Sequence, residues 1–282
     1  MNFPVMSPKS DIRSGCRALL IRRKAKSMME EMRRMTLLKE ILDGQARAVG
    51  RAISLVENGG AGARELMRSI RPHRQEALVV GVTGAPGSGK STLIDRLIDP
   101  LRRKGMKVGV LAIDPSSPFT GGAVLGDRIR MMRHSTDPGV FIRSMAARGH
   151  MGGLAKAAGD AVAILAASKK EVILVETVGV GQGEVEVIEL ADVVLVVLTP
   201  GAGDDIQVFK AGIMEIADIF VLNKSDQPGA EKLEIQLKGM LEMGAEEAKR
   251  PSLVKTSATE GKGLVRLAQE ILRFSARRMV GC

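Results

Sequence analysis

The chain has 282 residues with 42 Lys+Arg against 32 Asp+Glu, a formal charge of +10, and 45% apolar residues, with Phe in 6 copies as its sole aromatic type. That is enough for one large α/β domain with an appendage, at roughly 100–200 residues per domain, and the apolar content excludes a disordered tail protein. The lack of Trp and Tyr disfavours a base-stacking single-strand platform, and apolar stretches such as Val193 to Leu198 fall far short of the roughly 20 residues that cross a bilayer.

Cys16 and Cys282 stand near opposite ends, which makes neither a disulfide framework nor a ligand cluster and suits a reducing, cytoplasmic setting. Residues 1–35 hold nine Lys/Arg against Asp11, Glu30 and Glu31, so most of the net charge lies there. This segment is expected to be a disordered basic extension. The alternatives are a nucleic-acid arm and a mitochondrial transit peptide, the latter implying the matrix.

From Thr36 the apolar residues Leu37, Leu38, Ile41, Leu42, Val49, Ile53, Leu55 and Val56 recur at helical spacing as far as Asn58-Gly59-Gly60. A second helix is predicted over Ala63–Ile70, before Pro72. Residues 36–74 therefore read as a helical cap, and 75–282 as the main domain.

Within that domain, short β-branched runs are predicted as strands at Ala77–Thr83, Lys107–Ile113, Val172–Glu176, Val193–Thr199, Ile219–Asn223 and Leu253–Thr256. Helix-length segments alternate with them at Ser91–Lys104, Gly153–Ser168, Asp205–Ala217, Ala230–Met243 and Gly263–Ala276. Runs apolar on both faces, separated by helices, specify a doubly wound, mostly parallel α/β sheet.

Directly after the first strand, Gly84-Ala85-Pro86-Gly87-Ser88-Gly89-Lys90-Ser91-Thr92 satisfies GxxxxGK[ST] in its strand-to-helix context. Glycines allow backbone amides to converge on a polyphosphate, the helix start adds its positive dipole end, and Lys90 reaches the β/γ oxygens. The Ser91 hydroxyl is the expected Mg²⁺ ligand.

Asp114 closes the second strand, and Leu125-Gly126-Asp127-Arg128 follows. Glu176 closes the third predicted strand, in Glu176-Thr177-Val178-Gly179-Val180-Gly181-Gln182. Carboxylates at the carboxyl ends of parallel strands beside a phosphate loop are where Mg²⁺ is held, so Asp114, Asp127 and Glu176 are candidate metal residues. Gly179 occupies the turn whose amide senses a γ-phosphate. Val180 directly after it cannot orient a water, which leaves Gln182 as the candidate for that role.

The strand at 219–222 leads into Asn223-Lys224-Ser225-Asp226. An Asp carboxylate here accepts from both N1–H and the 2-amino group of guanine, donors that adenine lacks, so GTP is preferred over ATP. Lys255-Thr256-Ser257-Ala258, at the end of the last strand, loosely matches a guanine-supporting loop.

Taken together, Asp114-Pro115-Ser116-Ser117-Pro118, Thr120-Gly121-Gly122, Leu125-Gly126-Asp127-Arg128, Arg148-Gly149-His150-Met151-Gly152-Gly153, the Glu176–Gln182 run, Pro200 to Gln207 and the Asn-Lys-x-Asp resemble the MeaB/ArgK family of P-loop GTPases. The likeness runs from about Thr36 to about Leu267. It implies a GTP-hydrolysing chaperone of adenosylcobalamin-dependent acyl-CoA mutases, most often methylmalonyl-CoA mutase, that gates cofactor loading and protects the enzyme. It also implies Mg²⁺ and switch roles for Asp114, Asp127 and Glu176, an additional switch over Asp204 to Lys210 facing the mutase, and a backbone amide presented to the base by Ser257, Ala258 and Thr259, which stand where the family has Val-Ala-Thr. Family members usually continue into a C-terminal arm that helps form a dimer. This sequence stops at Arg277-Arg278-Met279-Val280-Gly281-Cys282, so that arm is expected to be absent and a homodimer by that route is in question.

Two other readings compete. A nickel-delivering GTPase of the same superfamily calls for a Cys/His cluster, against which two distant Cys and the scattered His73, His134 and His150 argue. A nucleic-acid-binding module would rest on the basic N-terminus alone.

Overall fold

A computed structural model describes residues 28–115, 132–147, 153–177, 188–201, 216–244 and 250–280. Three helices come first: α1 over 28–42, α2 (Ala46–Asn58) and α3 (Gly60–Ile70), closed by a 3₁₀ turn at Arg71–His73. The helical pattern starting at Thr36 is therefore longer and divided. It is already helical at Met28, eight residues before Thr36, so residues 28–35 of the expected disordered extension are helix, and a turn at Asp43-Gly44 breaks it, where Gly44 takes φ +77°.

The chain then alternates β1 (Leu78–Gly84), α4 (Lys90–Arg103), β2 (Val108–Pro115), β3 (Val140–Ala147), α5 (Gly153–Ala167), β4 (Val172–Glu176), β5 (Val193–Leu198), β6 (Ile219–Leu222), α6 (Ala230–Gly244), β7 (Ser252–Lys255) and α7 (Leu264–Val280). The seven strands form one sheet in the order β3-β2-β4-β1-β5-β6-β7, with each neighbouring pair parallel. The doubly wound α/β expectation holds. The predicted helix Asp205–Ala217 lies almost wholly outside the described residues.

Burial alternates along the strands as a two-sided sheet requires. Val193, Leu195 and Val197 of β5 join Val80 and Val82 of β1 on the face covered by α4 and α7, with Leu93, Leu97, Leu267 and Ile271 among the buried partners. Val194, Val196 and Leu198 turn to the other face, where Phe220, Leu233 and Leu237 close the core. Beside them, Ile173 and Val175 of β4 lie under α5 and the cap, whose Ile41, Val49, Ile53, Leu66 and Ile70 share that cluster. Each such side chain contributes about 1.5–3 kcal/mol by leaving water.

The strand that pattern reading missed is β3. It reads Val-Phe-Ile-Arg-Ser-Met-Ala-Ala, and the central Arg143-Ser144 interrupts the apolar run. An edge position tolerates this, because Arg143 reaches off the sheet: its Nη2 donates to Ser54 Oγ at 2.7 Å and to Glu57 Oε2 at 3.1 Å, both on α2. The polar pair that obscures the strand thus fastens the cap to it.

At the other end of the sheet, Asp192 and Asp218 accept the amides of Val79 (2.8 Å) and Val194 (2.9 Å), satisfying donors where strands begin. Here too Lys170, only 6% exposed, donates from Nζ to the Gly139 carbonyl at 3.2 Å. Burial pulls its pKa down to about 8, with the charges of Lys107 and Arg102 adding to that and Asp137 opposing. Lys170→Met should stabilise the protein by about 1–2 kcal/mol at pH 7, since an apolar chain of similar length replaces a desolvated charge. The Gly139 carbonyl stays satisfied by Val108 N–H at 2.9 Å. The fold binds fewer protons than the unfolded chain between about pH 8 and the ordinary lysine range, so wild-type stability carries a term that rises with pH across that window. Urea unfolding at pH 7 and pH 9.5 should show the variant's advantage shrinking at the higher pH.

Candidate functional site

Four strands deliver the site at their carboxyl ends, on the edge where open parallel sheets bind ligands. β1 runs out at Gly84 into the loop Ala85–Gly89, and α4 starts at Lys90. Two loop glycines are required by close approach. A Cβ on Gly84 (φ +146°) would lie 2.3 Å from the Val197 carbonyl oxygen, and one on Gly89 (φ +87°) 2.6 Å from Asn223 Nδ2. The loop is thereby pressed against β5 on one side and the end of β6 on the other.

The Lys90 ammonium lies inside the curl, donating to Gly84 O at 2.9 Å and Ala85 O at 3.1 Å, with the residue 6% exposed. The loop is wrapped around a fixed positive charge, and the first amides of α4 add the positive end of its dipole. Ser88 is buried, Pro86 and Gly87 are exposed, and Thr92 follows on α4. A polyanion is the ligand such a cradle suits.

One helical position beyond Lys90, Ser91 Oγ donates to Glu176 Oε1 at 2.6 Å, and both residues are buried. A hydroxyl and a carboxylate this close fit a hard divalent cation. Adjacent ligands of octahedral Mg²⁺, each about 2.0–2.1 Å from the ion, stand about 2.9 Å apart, so a small widening admits it. Among the described residues no group of three or more His, Cys, Asp and Glu side chains forms a metal cluster of another kind.

The Asn223–Asp226 turn is bonded to the Gly84–Gly89 loop. Asn223 Nδ2 donates to Ser88 O at 2.9 Å, while its Oδ1 accepts from Thr256 Oγ1 at 3.1 Å and Ala258 N at 3.3 Å. Lys224, in a left-handed conformation (φ +53°), donates from Nζ to Gly87 O at 3.0 Å. Ser225 N–H closes the arrangement on Thr256 O at 3.0 Å. Thr256 belongs to Lys255-Thr256-Ser257-Ala258, the stretch whose loose match to a guanine-supporting loop the sequence already shows. Its position at the end of the last strand is the signal that points to it.

Asp226 is exposed beside this lattice. The adjoining Ser257, then its own backbone amide, holds its carboxyl below the usual carboxylate range, and the charges of Lys262 and Lys224 act in the same sense. Ser257 pairs its backbone with Lys262 (3.2 and 3.1 Å), and Gly263 completes the turn where a Cβ would fall 2.0 Å from Lys255 O. Ser257, Ala258 and Thr259 thus form a short loop adjoining the Asn223–Asp226 turn.

The structure brings together Gly84 to Thr92, Glu176, Asn223, Lys224, Asp226 and Ser257 to Thr259. The backbone of Asp114 ends β2 opposite Ala146 of β3. Asp127, Gly179, Gln182, the 204–210 segment, Arg128 and Arg148 lie outside the described residues, as does the Asp114 side chain.

The profile of the family described as methylmalonyl-CoA mutase-associated GTPase matches residues 49–280. A protein of Pyrococcus abyssi named as a GTPase is 54% identical over 239 residues, covering 83% of this chain and 74% of its own length. GTPase ArgK of Escherichia coli is 35% identical over 257 residues, covering 88% and 77%. Among solved structures, that of an LAO/AO transport system kinase superposes with a TM-score of 0.71 at 25% identity, covering 89% of this chain and 78% of the other.

Proposed function

The chain belongs to the methylmalonyl-CoA mutase-associated GTPase family, and from that premise we propose that it is a Mg²⁺-dependent GTPase chaperone. Its client is an adenosylcobalamin-dependent acyl-CoA mutase, with methylmalonyl-CoA mutase first in line, whose cofactor loading it gates. The observation that carries the nucleotide half of this reading is the single hydrogen-bonded lattice from Lys90 through Ser88 and Asn223 to Ala258. It joins a polyphosphate cradle to a guanine-reading loop.

In this assignment the loop Gly84 to Gly89, with Ser91 and Thr92 at the start of α4, binds the phosphates. Lys90 neutralises the β/γ oxygens as charge shifts in the transition state. Ser91 and Glu176, with Asp114 at the end of β2 and Asp127 from the segment that follows it, would hold Mg²⁺. That ion, when bound, neutralises γ-phosphate charge. Gly179 senses the γ-phosphate, and Gln182 orients the attacking water. Asn223 and Lys224 brace the phosphate loop, Asp226 reads the guanine edge, and the Ser257–Thr259 loop supplies a backbone amide to the base.

The proposed organisation is a basic extension over 1–35 whose last eight residues belong to α1, a helical cap completed over 36–74, and the GTPase domain over 75–282. Among the described residues no helix is long and apolar enough to cross a membrane. Intrinsic hydrolysis is expected to be slow and to rise when the partner binds, because Val180, directly after Gly179, cannot orient the attacking water.

The test is turnover of GTP by the full chain with and without methylmalonyl-CoA mutase from the same organism. A rise in kcat of about tenfold or more, with co-elution of the two proteins in the presence of a non-hydrolysable GTP analogue, supports the reading. Equal rates and no co-elution with any cobalamin-dependent acyl-CoA mutase of that organism remove the chaperone role and leave the GTPase.

A further inference from the structure

We propose that Asp95, Arg133 and His134 are positioning residues for the Mg²⁺ centre, a clamp that orients the stretch carrying Asp127 on the same helix that presents Ser91. It rests on the reading of Ser91 and Asp127 as Mg²⁺ residues. Helix α4 begins with Lys90 and Ser91, and Asp95 follows Ser91 by one helical turn, buried at 6% exposure. The 3₁₀ turn Met132–His134 is bonded to it. His134, 8% exposed, brings Nε2 to 2.9 Å from the Asp95 carbonyl oxygen, so the ring donates there as its Nε2–H tautomer. Arg133 then gives Nε to Asp95 Oδ2 at 3.0 Å rather than to the ring, 3.1 Å away. Its Nη2 donates to the same carbonyl oxygen at 3.3 Å and pairs with Asp99.

This contact is a poor source of stability. Asp95 is taken out of water, yet its Oδ1 makes no hydrogen bond among the described residues and lies 3.4 Å from His134 Nε2. A buried carboxylate left partly unmatched costs more than an apolar pair of the same volume. Leu93, Ile94, Leu97 and Ile98 already hold α4 in the core. What the directed bonds add is orientation. An apolar contact can slide, whereas Arg133 and His134 converge on both the carbonyl and the carboxylate of one residue.

Chain order gives that orientation its consequence. Arg133 and His134 follow Asp127 by six and seven positions, and β2 ends at Pro115 on the other side of it. A further anchor stands just downstream, where Asp137 accepts from Arg102 Nε at 2.8 Å and Nη2 at 2.9 Å. Loss of the clamp therefore lengthens the tether by only a few residues, and loop-closure entropy alone changes the local concentration of Asp127 by less than about twofold. Groups that orient metal ligands from behind change metal affinity by about 10–100-fold. These magnitudes separate a mere tether from a clamp.

The experiment is a calorimetric Mg²⁺ titration of the full chain saturated with a non-hydrolysable GTP analogue, with analogue affinity in EDTA and Tm as controls. His134→Leu should weaken Mg²⁺ binding by at least about tenfold while affinity in EDTA stays unchanged. Arg133→Gln, at a side chain 34% exposed, should weaken it by about fivefold, the upper range for a partly exposed ion pair. His134→Gln, whose amide can donate to the Asp95 carbonyl, should stay within about twofold of wild type. His134 borders a polar cavity of about 420 Å³ shared with Asp99, Arg102, Arg103 and Asp137, so its replacement admits water without opening the apolar core. Should His134→Leu lose its fold, Arg133→Gln decides. Asp127→Ala separates the clamp from the reading beneath it. If Asp127→Ala weakens Mg²⁺ binding and the two clamp variants do not, the clamp is overturned and the reading stands. If Asp127→Ala leaves Mg²⁺ binding unchanged, the assignment of Asp127 falls and the clamp falls with it. Clamp variants that lose as much analogue affinity in EDTA as Mg²⁺ affinity would overturn the proposal in favour of general support of α4.

Discussion

Lys90→Ala should lower affinity for both GTP and GDP by at least about 100-fold while leaving the fold intact. The ammonium is 6% exposed and sits within 2.9 and 3.1 Å of the Gly84 and Ala85 carbonyls. In wild type those oxygens converge on a cation. In the variant they converge on nothing, and their partial negative charge then opposes a polyphosphate entering beside them. Truncating one partner of a buried, charge-assisted contact costs about 2–5 kcal/mol, which sets the expected loss. Arginine should not rescue it, because a planar fork is larger than the point charge around which the loop is curled. Calorimetry with both nucleotides, and a thermal melt as the control for folding, checks this. Wild-type affinity in the Ala variant would mean that the loop binds through its amides alone.

The same loop shows how far sequence reading carries. Spacing of Gly84, Gly87, Gly89, Lys90 and Ser91 is dictated by local backbone geometry, and local geometry is what a motif records. Position in a fold is not local. That Gly89 must be glycine because Asn223 lies 2.6 Å from where its Cβ would be joins residues 134 positions apart, and no spacing rule contains it.

Lys224 illustrates the same limit. The motif assigns it to the nucleotide, and the structure adds that its Nζ is bonded to the Gly87 carbonyl, bracing the loop from outside. Strand β3 escaped detection for a related reason. Periodicity detects a strand through what its own side chains bury, whereas Arg143 is accommodated by Ser54 and Glu57 of a helix almost ninety residues earlier. Gly44 escaped as well. A single left-handed residue within a continuous apolar pattern divides one predicted helix into α1 and α2, and the apolar pattern continues across the break because both helices feed one core.

Asp226→Ala should remove the preference for guanine, lowering GTP affinity by about 10²–10³-fold with little change in the weaker binding of ATP. The argument begins with ionisation. The adjoining Ser257 and its own amide, and then the charges of Lys262 and Lys224, keep the Asp226 carboxyl below the usual carboxylate range. An ionised carboxylate only accepts hydrogen bonds, and its two oxygens match the parallel N1–H and 2-amino donors of guanine. Adenine offers no donor at either position, so a site built on this pair discriminates by the cost of leaving buried donors and acceptors unmatched. The exposure of Asp226 in the protein alone places the effect below that of a fully enclosed site.

The depressed pKa also sets a pH dependence with a definite sign. Guanine affinity should stay level as pH falls to the ordinary carboxylate range and decline only below it, and the Ala variant should lack that acid limb. Because Asn223 and Lys224, not Asp226, hold the phosphate loop through Ser88 O and Gly87 O, affinity for inorganic triphosphate with Mg²⁺ should be equal in variant and wild type. A parallel loss of triphosphate affinity would show that Asp226 braces the loop rather than reads the base.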